Sequence, residues 1–217
     1  NWADWGRFMR MAVPASVLAV AALAALARPA LRTAALAVAA ACVGGLFVVI
    51  GQAYPTGVDA WQFFALWTLL VLPMALAARS DLLWVPWSFL AVTTATTWSV
   101  AHTGHRWSPR AEDLPVHAVA FVIALLPWAV TLPAAARVTG AGRWAHRTAA
   151  LLAVLCVMFT AVGGLLGERV APHFWLGLVM IGGVAAAMRQ RRLFDIFVLS
   201  AAALGLNVLL VGGFIGS

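Results

Sequence analysis

The sequence contains no lysine and only seven carboxylates, so charged residues make up 10% of its 217 residues. A water-soluble domain of this length needs more charged and polar side chains to cover its surface. All 14 basic residues are arginines, and they lie in short segments between long apolar stretches. This distribution argues against nucleic-acid binding and favours a membrane protein whose arginines lie at the ends of its spans.

Cysteine is equally scarce, because Cys42 and Cys156 are the only two and each lies within an apolar stretch. Two isolated cysteines indicate neither a disulfide framework nor a zinc motif. The sequence also lacks a Ser-His-Asp order, a glycine-rich phosphate loop, a paired-carboxylate motif and the HExxH, HxxxH and CxxC spacings. We therefore do not expect an enzyme, and we predict no cofactor from these motifs.

Hydrophobic residues make up 64% of the sequence and recur in stretches of about 20 residues, the length that crosses a bilayer. The predicted fold is all-α: a polytopic transmembrane helical bundle of about eight spans that forms one domain over residues 1–217. The predicted spans are Phe8–Ala27, Leu31–Ile50, Asp59–Ala78, Leu82–Ala101, Leu114–Ala136, Ala145–Leu166, His173–Met188 and Leu193–Ile215. The pairs Gly44-Gly45 and Gly163-Gly164, each followed by leucine, are compatible with two parallel four-helix halves, residues 1–108 and 109–217.

The connections between these spans are short and differ in arginine content. The odd-numbered connections hold Arg28, Arg32, Arg79, Arg137, Arg143, Arg147, Arg189, Arg191 and Arg192, and the opposite side holds Arg7, Arg10, Arg106, Arg110 and Arg169. The positive-inside rule then predicts that the odd-numbered connections lie in the cytoplasm and both ends of the chain outside.

Tryptophan is abundant, and most of it falls near the predicted span ends, where indole rings favour the membrane interface. The residues expected in this aromatic belt are Trp61, Trp84, Trp87, Trp98, Trp107, Trp144 and Trp175. Trp67 and Trp128 instead fall near mid-span, so each either packs against a neighbouring helix or lines a cavity for an apolar ligand. The Gly-Gly pairs at 44, 163, 182 and 212 are expected to let helices approach closely.

The segment from Gly51 to Gln62 has the most unusual local sequence and includes the only tyrosine. Its glycines and proline allow a sharp reversal of the chain, Asp59 is expected to cap the following helix, and Trp61 to anchor at the interface. The alternative is a polar mouth for a small solute. The candidate binding residues of that mouth are Gln52, Tyr54, Asp59 and Gln62.

Several of these motifs resemble those of a bacterial family of predicted membrane proteins, domain of unknown function 2157. The resemblance rests on Asn1-Trp2, the Gly-Gln-x-Tyr-x-Thr-Gly-x-Asp-x-Trp-Gln string at 51–62, Leu66-Trp67, Ala78-Arg79-Ser80 and Arg191-Arg192-x-Leu-Phe-Asp. It implies an inner-membrane protein with no established activity and no catalytic residues to carry over. It also implies a short soluble segment before the first span, which is expected in the cytoplasm and conflicts with the orientation from the arginine count.

Histidines and carboxylates are expected to gather on one side of the membrane, and both residue types are suitable ligands for a transition metal. The candidate metal ligands are His102, His105, His117, His173 and Glu168. The alternative is that these loop residues are simply solvated. Haem is disfavoured, because its axial ligands usually face each other from helix interiors.

Asp195 is the best candidate for an acid at the edge of a span, and an ion pair with a nearby arginine is its favoured role. Because connections are short and buried ionisable groups few, we expect a non-enzymatic structural, assembly or accessory component. The second class is a small-solute transporter or channel, and the third is an electron-transfer protein with an unspecified cofactor. The expected partners are the lipid bilayer and another membrane protein or a second copy of the chain, and no nucleic acid.

Overall fold

The computed structural model describes residues 6–53, 57, 59–104, 109–166, 170–190 and 193–215. Within these ranges the chain forms nine α-helices joined by turns and two short 3-10 segments, with no β-strand. The helices are α1 (Arg7–Ala27), α2 (Arg32–Ala53), α3 (Ala60–Ala78), α4 (Asp81–Thr103), α5 (Leu114–Thr131), α6 (Pro133–Thr139), α7 (Arg143–Gly163), α8 (Pro172–Ala187) and α9 (Ile196–Ile215). The predicted all-α class is confirmed for this part of the chain.

Six of the helices, α1, α2, α3, α5, α7 and α9, are long and apolar enough to cross a membrane. The other two predicted spans differ from them: α8 is apolar but has only 16 residues, and α4 has 23 residues with several threonines and tryptophans that lower its mean hydropathy. Since α4 packs against α3, α5 and α7, it presents less surface to lipid than a peripheral helix does. Eight spans and two four-helix halves remain predictions.

The predicted fifth span, Leu114–Ala136, is wrong at its end. Helix α5 ends at Thr131, Leu132 is extended, and the short helix α6 begins at Pro133. A proline disfavours helical backbone at the residue before it and lacks the N–H that would continue the helix. The chain therefore turns here, and Arg137 lies on α6 rather than just beyond a longer span.

Helices α4 and α7 occupy the centre of the bundle, and α7 packs against α4, α5, α8 and α9. Small residues recur every four positions along α7, so they share one helix face and let neighbouring backbones approach closely. Ala145, Ala149, Ala153 and Ala161 of this stripe are buried. An alanine stripe thus explains why α7, with a mainly apolar sequence, becomes a central helix rather than a lipid-facing one.

The peripheral hairpin of α1 and α2 joins the bundle through α2, which packs against α3 and α4. The contact with α3 depends on Gly44, because a side chain there would overlap the indole of Trp67. That indole also donates a hydrogen bond of 2.9 Å to the carbonyl of Ala40 on α2. Trp67 therefore has the packing role that was one of its two predicted interpretations.

Large apolar side chains cover much of the outside of the bundle. Examples are Leu23, Val122, Val179 and Leu204, each more than 60% exposed. A surface of this kind is unfavourable in water over so large an area, whereas hydrocarbon solvates it. The distribution of exposed side chains agrees with the composition of the helices and indicates lipid as the surrounding solvent.

Candidate functional site

The two ends of the bundle present different chemistry. The histidine end is defined by His102 near the end of α4, His117 near the start of α5 and His173 near the start of α8. The arginine end is defined by Arg79, which follows α3, and Arg137 on α6. Because successive long helices run in opposite directions, these groups lie at opposite ends of the helices.

A cavity of about 410 Å³ lies between the start of α3 and the last turns of α4 at the histidine end. Its lining includes the carboxylate-bearing Asp59, the indole-bearing Trp61 and the hydroxyl-bearing Thr96 and Thr97. The Nε1 of Trp61 is buried and has no hydrogen-bond partner among the residues that the structure describes. We call this cavity the polar mouth, since it combines a carboxylate with two hydroxyls beside an unpaired indole N–H.

The predicted binding residues do not all line the polar mouth. Asp59 belongs to its lining, whereas Gln52 and Gln62 are exposed and do not. Tyr54 lies outside the described residues. Asp59 occupies the position before the first turn of α3, but its side chain makes no capping hydrogen bond, so the predicted cap is wrong. Asp59 has the chain position of a capping residue, but its side chain accepts no hydrogen bond from the free N–H groups of the helix.

The polar mouth does not continue as a line of unpaired polar groups along α4. The hydroxyl of Thr97 donates to the carbonyl of Thr93 at 2.7 Å. The hydroxyl of Thr94 donates to the carbonyl of Leu90 at 2.8 Å. The Thr94 hydroxyl also lies 3.2 Å from the hydroxyl of Thr68 on α3. Hydroxyls that bond to their own helix stabilise polar residues in a bundle, and they leave fewer groups to hydrate a passing ion.

His117 and His173 meet in the packed interior of the histidine end. Their ring centroids are 4.8 Å apart and the rings are nearly perpendicular. The Nδ1 of His117 lies 3.1 Å from the carbonyl oxygen of Asp113, one turn earlier. His173 is fully buried, and within the described part of the chain neither of its ring nitrogens has a hydrogen-bond partner.

The candidate metal ligands are only partly brought together. His117 and His173 form the pair just described, while His102 lies against Trp61 and Trp98. His105 and Glu168 lie outside the described residues. Among the described residues no group of three histidine, cysteine or carboxylate side chains could hold a metal ion. Two imidazoles supply half the ligands of a closed zinc site, so a metal here remains a prediction.

Arg79, in the turn after α3, and Asp81, the first residue of α4, bind other helices at the arginine end. The guanidinium of Arg79 donates to the carbonyls of Val138 and Arg137, at 2.6 and 2.9 Å, near the end of α6. The carboxylate of Asp81 accepts hydrogen bonds from the backbone N–H groups of Gly142 and, at 3.1 Å, Trp144. These bonds pair backbone groups that have no partner within their own helix, at the end of α6 and the start of α7. The positive guanidinium and the negative carboxylate also interact favourably with the dipoles of these two helices, so the role of both residues is structural.

Trp84 and Trp87 do not belong to the predicted aromatic belt. Trp84 is fully buried and Trp87 nearly so, and their rings meet edge to face with centroids 5.2 Å apart. Their indole N–H groups donate at 3.0 Å to the carbonyls of Thr139 and Thr68. The belt prediction is wrong for both, because α4 is central and its span end is covered by α6 and α3. Trp144 and Trp175 are exposed, as the belt requires.

Asp195 lies directly before α9 and forms the ion pair expected from the sequence. Its Oδ2 accepts a hydrogen bond of 3.0 Å from Nε of Arg147 on α7, and its Oδ1 accepts from the N–H of Phe197 at 2.8 Å. Partial burial raises the pKa of Asp195, but the hydrogen bonds from Arg147, Phe197 and Val198 outweigh it and lower the pKa overall. A carboxylate held ionised in this way joins α7 to α9 and is poorly suited to carry protons.

These features define a polytopic helical bundle of the membrane-protein class, with a polar mouth at one end and the Arg147–Asp195 ion pair at the other. Residues 1–84 match the family model described as Predicted membrane protein (DUF2157), so the resemblance is confirmed over that part of the chain. The match includes the 51–62 string and Ala78-Arg79-Ser80, and it stops before Arg191-Arg192. Neither a curated protein nor a solved structure matches the chain.

Proposed function

We propose that this protein is a non-enzymatic accessory or assembly component of the bacterial inner membrane, which binds a transmembrane helix of another protein through α1. The observation that carries this proposal is the position of α1 outside the bundle. Its extensive contacts are with α2 and with the 3-10 segment Pro29–Leu31 that joins the two helices. Most of its surface is left to lipid or to a partner.

The free face of α1 suits a close contact between helices. Ala12, Ala15, Ala19 and Ala22 recur at spacings of three and four residues, so they lie on one side of the helix, and all four are exposed. Association of helices in lipid depends on van der Waals packing, which small residues improve by bringing the backbones together. Exchanging lipid for a partner helix at this face requires no polar group to lose a hydrogen bond.

The interior of the bundle supports the same proposal. The threonine hydroxyls of α4 bond to their own helix, and Asp195 is paired with Arg147. Neither arrangement leaves a chain of unpaired polar groups that leads from the polar mouth towards the arginine end. A bundle of this kind is better suited to present a surface than to conduct an ion.

Site-specific crosslinking in the native membrane tests the accessory role. Benzoylphenylalanine at Leu23 reports on α1, and the same residue at Val122 on α5 is the matched control, since the two side chains are 66% and 62% exposed. We expect one discrete protein adduct from Leu23, none from Val122, and loss of the Leu23 adduct when Ala19→Phe disrupts the small-residue face. An adduct of twice the chain mass identifies a second copy as the partner. Absence of a discrete Leu23 adduct, with the protein recovered as a bare monomer, contradicts the proposal.

The second candidate is a small-solute transporter or channel, favoured by the polar mouth with Asp59 in its lining. Transport requires that this cavity extend past mid-membrane in a second conformation. Flux of small cations and zwitterions into proteoliposomes is the direct measurement. Flux that Asp59→Asn abolishes, with the fold retained, supports the transporter over the accessory component, and absence of protein-dependent flux counts against it.

A further inference from the structure

The polar side chains that line the polar mouth offer a ligand hydrogen-bond acceptors. The hydroxyl of Thr97 donates to the carbonyl of Thr93. The hydroxyl of Thr96 donates to the carbonyls of Val92 and Thr93, both at 3.1 Å. A hydroxyl has one proton, so a hydroxyl that already donates offers a ligand only its lone pairs. Asp59 adds a carboxylate, which has no hydrogen-bond or ion-pair partner among the described residues. A ligand of this cavity must therefore supply donors or positive charge.

Trp61 and three aliphatic residues form the apolar part of the lining. Trp61 lines the cavity while its Nε1 is buried, so its carbon surface rather than its N–H borders the polar mouth. Ala60, Val100 and Ala101 add aliphatic surface. The face of an indole ring attracts cations, and aromatic walls of this kind bind quaternary ammonium groups. The described lining thus combines apolar surface with one negative charge.

The charges at the polar mouth favour a cation over an anion. The first turn of α3 carries the positive end of a helix dipole, about half an elementary charge. The carboxylate of Asp59, directly before this helix, carries a full negative charge and outweighs the dipole. Ca²⁺ or Mg²⁺ takes about six to eight oxygen ligands, whereas the described lining supplies one carboxylate and two hydroxyls. An organic cation needs fewer oxygens, because its carbon groups contact the apolar surface.

We propose that the polar mouth binds a small alkylammonium ion, with Asp59 as its counter-ion and the ring of Trp61 against its carbon groups. The volume of about 410 Å³ lies within the range of roughly 300–1,000 Å³ found for small-molecule sites. The hydroxyl oxygens of Thr96 and Thr97 accept from any N–H or O–H of this ligand. The inference rests on the cavity of the proposed transporter, but binding requires neither transport nor the α1 contact.

Equilibrium binding of radiolabelled choline to the full chain, purified in detergent and captured on scintillation beads, is the direct test. We expect saturable binding that tetramethylammonium displaces. Dimethylbutanol, the uncharged carbon analogue of choline, should not compete, because it lacks the charge that Asp59 attracts. Sodium at the same concentration should not compete either, because it cannot use the apolar surface. Competition by sodium or dimethylbutanol as strong as that by tetramethylammonium overturns the proposal.

Two carboxylates of the histidine end provide matched variants. Asp59→Asn removes the charge of the polar mouth and should weaken choline binding about fivefold. Glu112→Gln removes an exposed carboxylate that pairs with Arg110 at 3.6 Å and is not in the described lining, so it should leave binding unchanged. No saturable choline binding to the parent, or equal losses in the two variants, overturns the proposal.

Trp61 variants test the aromatic contact. Trp61→Leu should weaken choline binding about threefold, and Trp61→Phe, which keeps a ring, should weaken it less. Full binding in Trp61→Leu overturns the proposal, and if this variant loses the fold, the competitors and Asp59→Asn decide. Proteoliposome flux separates the inference from the transporter. Choline binding without flux supports a binding site in a protein that does not transport, whereas flux of another solute without choline binding supports the transporter and overturns the inference.

Discussion

At the scale of single residues, the absence of a side chain decides contacts as strongly as its presence does. Gly44 and Gly183 are both helical glycines in Gly-Gly pairs, yet Gly44 lies against the indole of Trp67 and Gly183 faces open space. The two tryptophans differ in the same way, since the indole of Trp67 is hydrogen-bonded and that of Trp128 is not. Identical sequence signals thus mark a packing contact in one place and open space in another.

The Gly44 contact predicts a large difference between neighbouring substitutions. Gly44→Ala forces the Trp67 indole, which is held by its bond to Ala40, out of position, and overpacking of this kind costs about 1–3 kcal/mol. Gly45→Ala places its methyl group 3.9 Å from Pro14, an ordinary contact, and should be neutral or slightly stabilising. The midpoints of thermal unfolding in detergent compare the two. Equal destabilisation by both variants would show that the Gly44 contact is not the cause.

Asp195 gives the protein a stability that depends on pH. Because its folded pKa is lowered, the stabilisation is fully present above the unfolded value of about 3.9 and is lost as the pH falls through the folded pKa. Asp195→Asn keeps an acceptor for the N–H groups of α9 but removes the charge beside Arg147, so it should cost about 1–3 kcal/mol at neutral pH.

The difference between the unfolding midpoints of the parent and Asp195→Asn should therefore be constant from pH 6 to about 4 and should shrink as the pH is lowered further. Asp195→Ala, which also removes the cap of α9, should be less stable than Asp195→Asn at every pH. A difference that stays constant as the pH is lowered below about 4 would show that the ion pair contributes nothing to stability.

At the scale of helices and their connections, the arginine end joins elements that are far apart in the chain. Asp81 caps α7 from the start of α4, and Arg79 binds the end of α6 from the turn after α3. Both belong to the segment that matches the family model, whereas their partners at 137–144 lie beyond the match. Arg79 and Asp81 therefore couple the first part of the chain to the second.

Two aspartates at helix starts provide a matched test of this coupling. Asp81→Ala removes two hydrogen bonds to the first turn of α7 and should cost about 1–2 kcal/mol. Asp59→Ala changes the residue before α3, whose side chain makes no cap, and should leave stability nearly unchanged. Thermal unfolding of both variants measures the difference. A loss at Asp59 as large as that at Asp81 would contradict the assignment of the caps.

Sequence patterns predicted the positions of the helices well, but they did not predict which helices pack against one another. Hydropathy located every long helix, since apolar runs of about 20 residues have few other folds available. It missed the break at Leu132-Pro133 and placed Trp84 and Trp87 at the membrane interface, although the structure buries both. Burial inside a bundle depends on which helices meet, and a single sequence does not encode those pairs as a local pattern. The partner of Asp195 was unidentifiable for the same reason, because Arg147 is 48 residues away.

At the scale of the whole molecule, the account depends on helices that cross a bilayer and leave the histidine end and the arginine end on opposite sides. The exposed apolar surface and the six helices of spanning length support this arrangement. The excess of arginine at the odd-numbered connections predicts which side is cytoplasmic. The binding proposals for α1 and the polar mouth both require lipid around the bundle.

Labelling of single cysteines with a membrane-impermeant maleimide tests this arrangement most directly, in a background where Cys42 and Cys156 are replaced by alanine. Ala60→Cys reports on the histidine end and Gln190→Cys on the arginine end, and both positions are exposed. In spheroplasts we expect labelling of Ala60→Cys alone, and in inverted membrane vesicles labelling of Gln190→Cys alone. The reverse pattern would contradict the orientation, and labelling of both positions from the same side would contradict the membrane-spanning bundle itself.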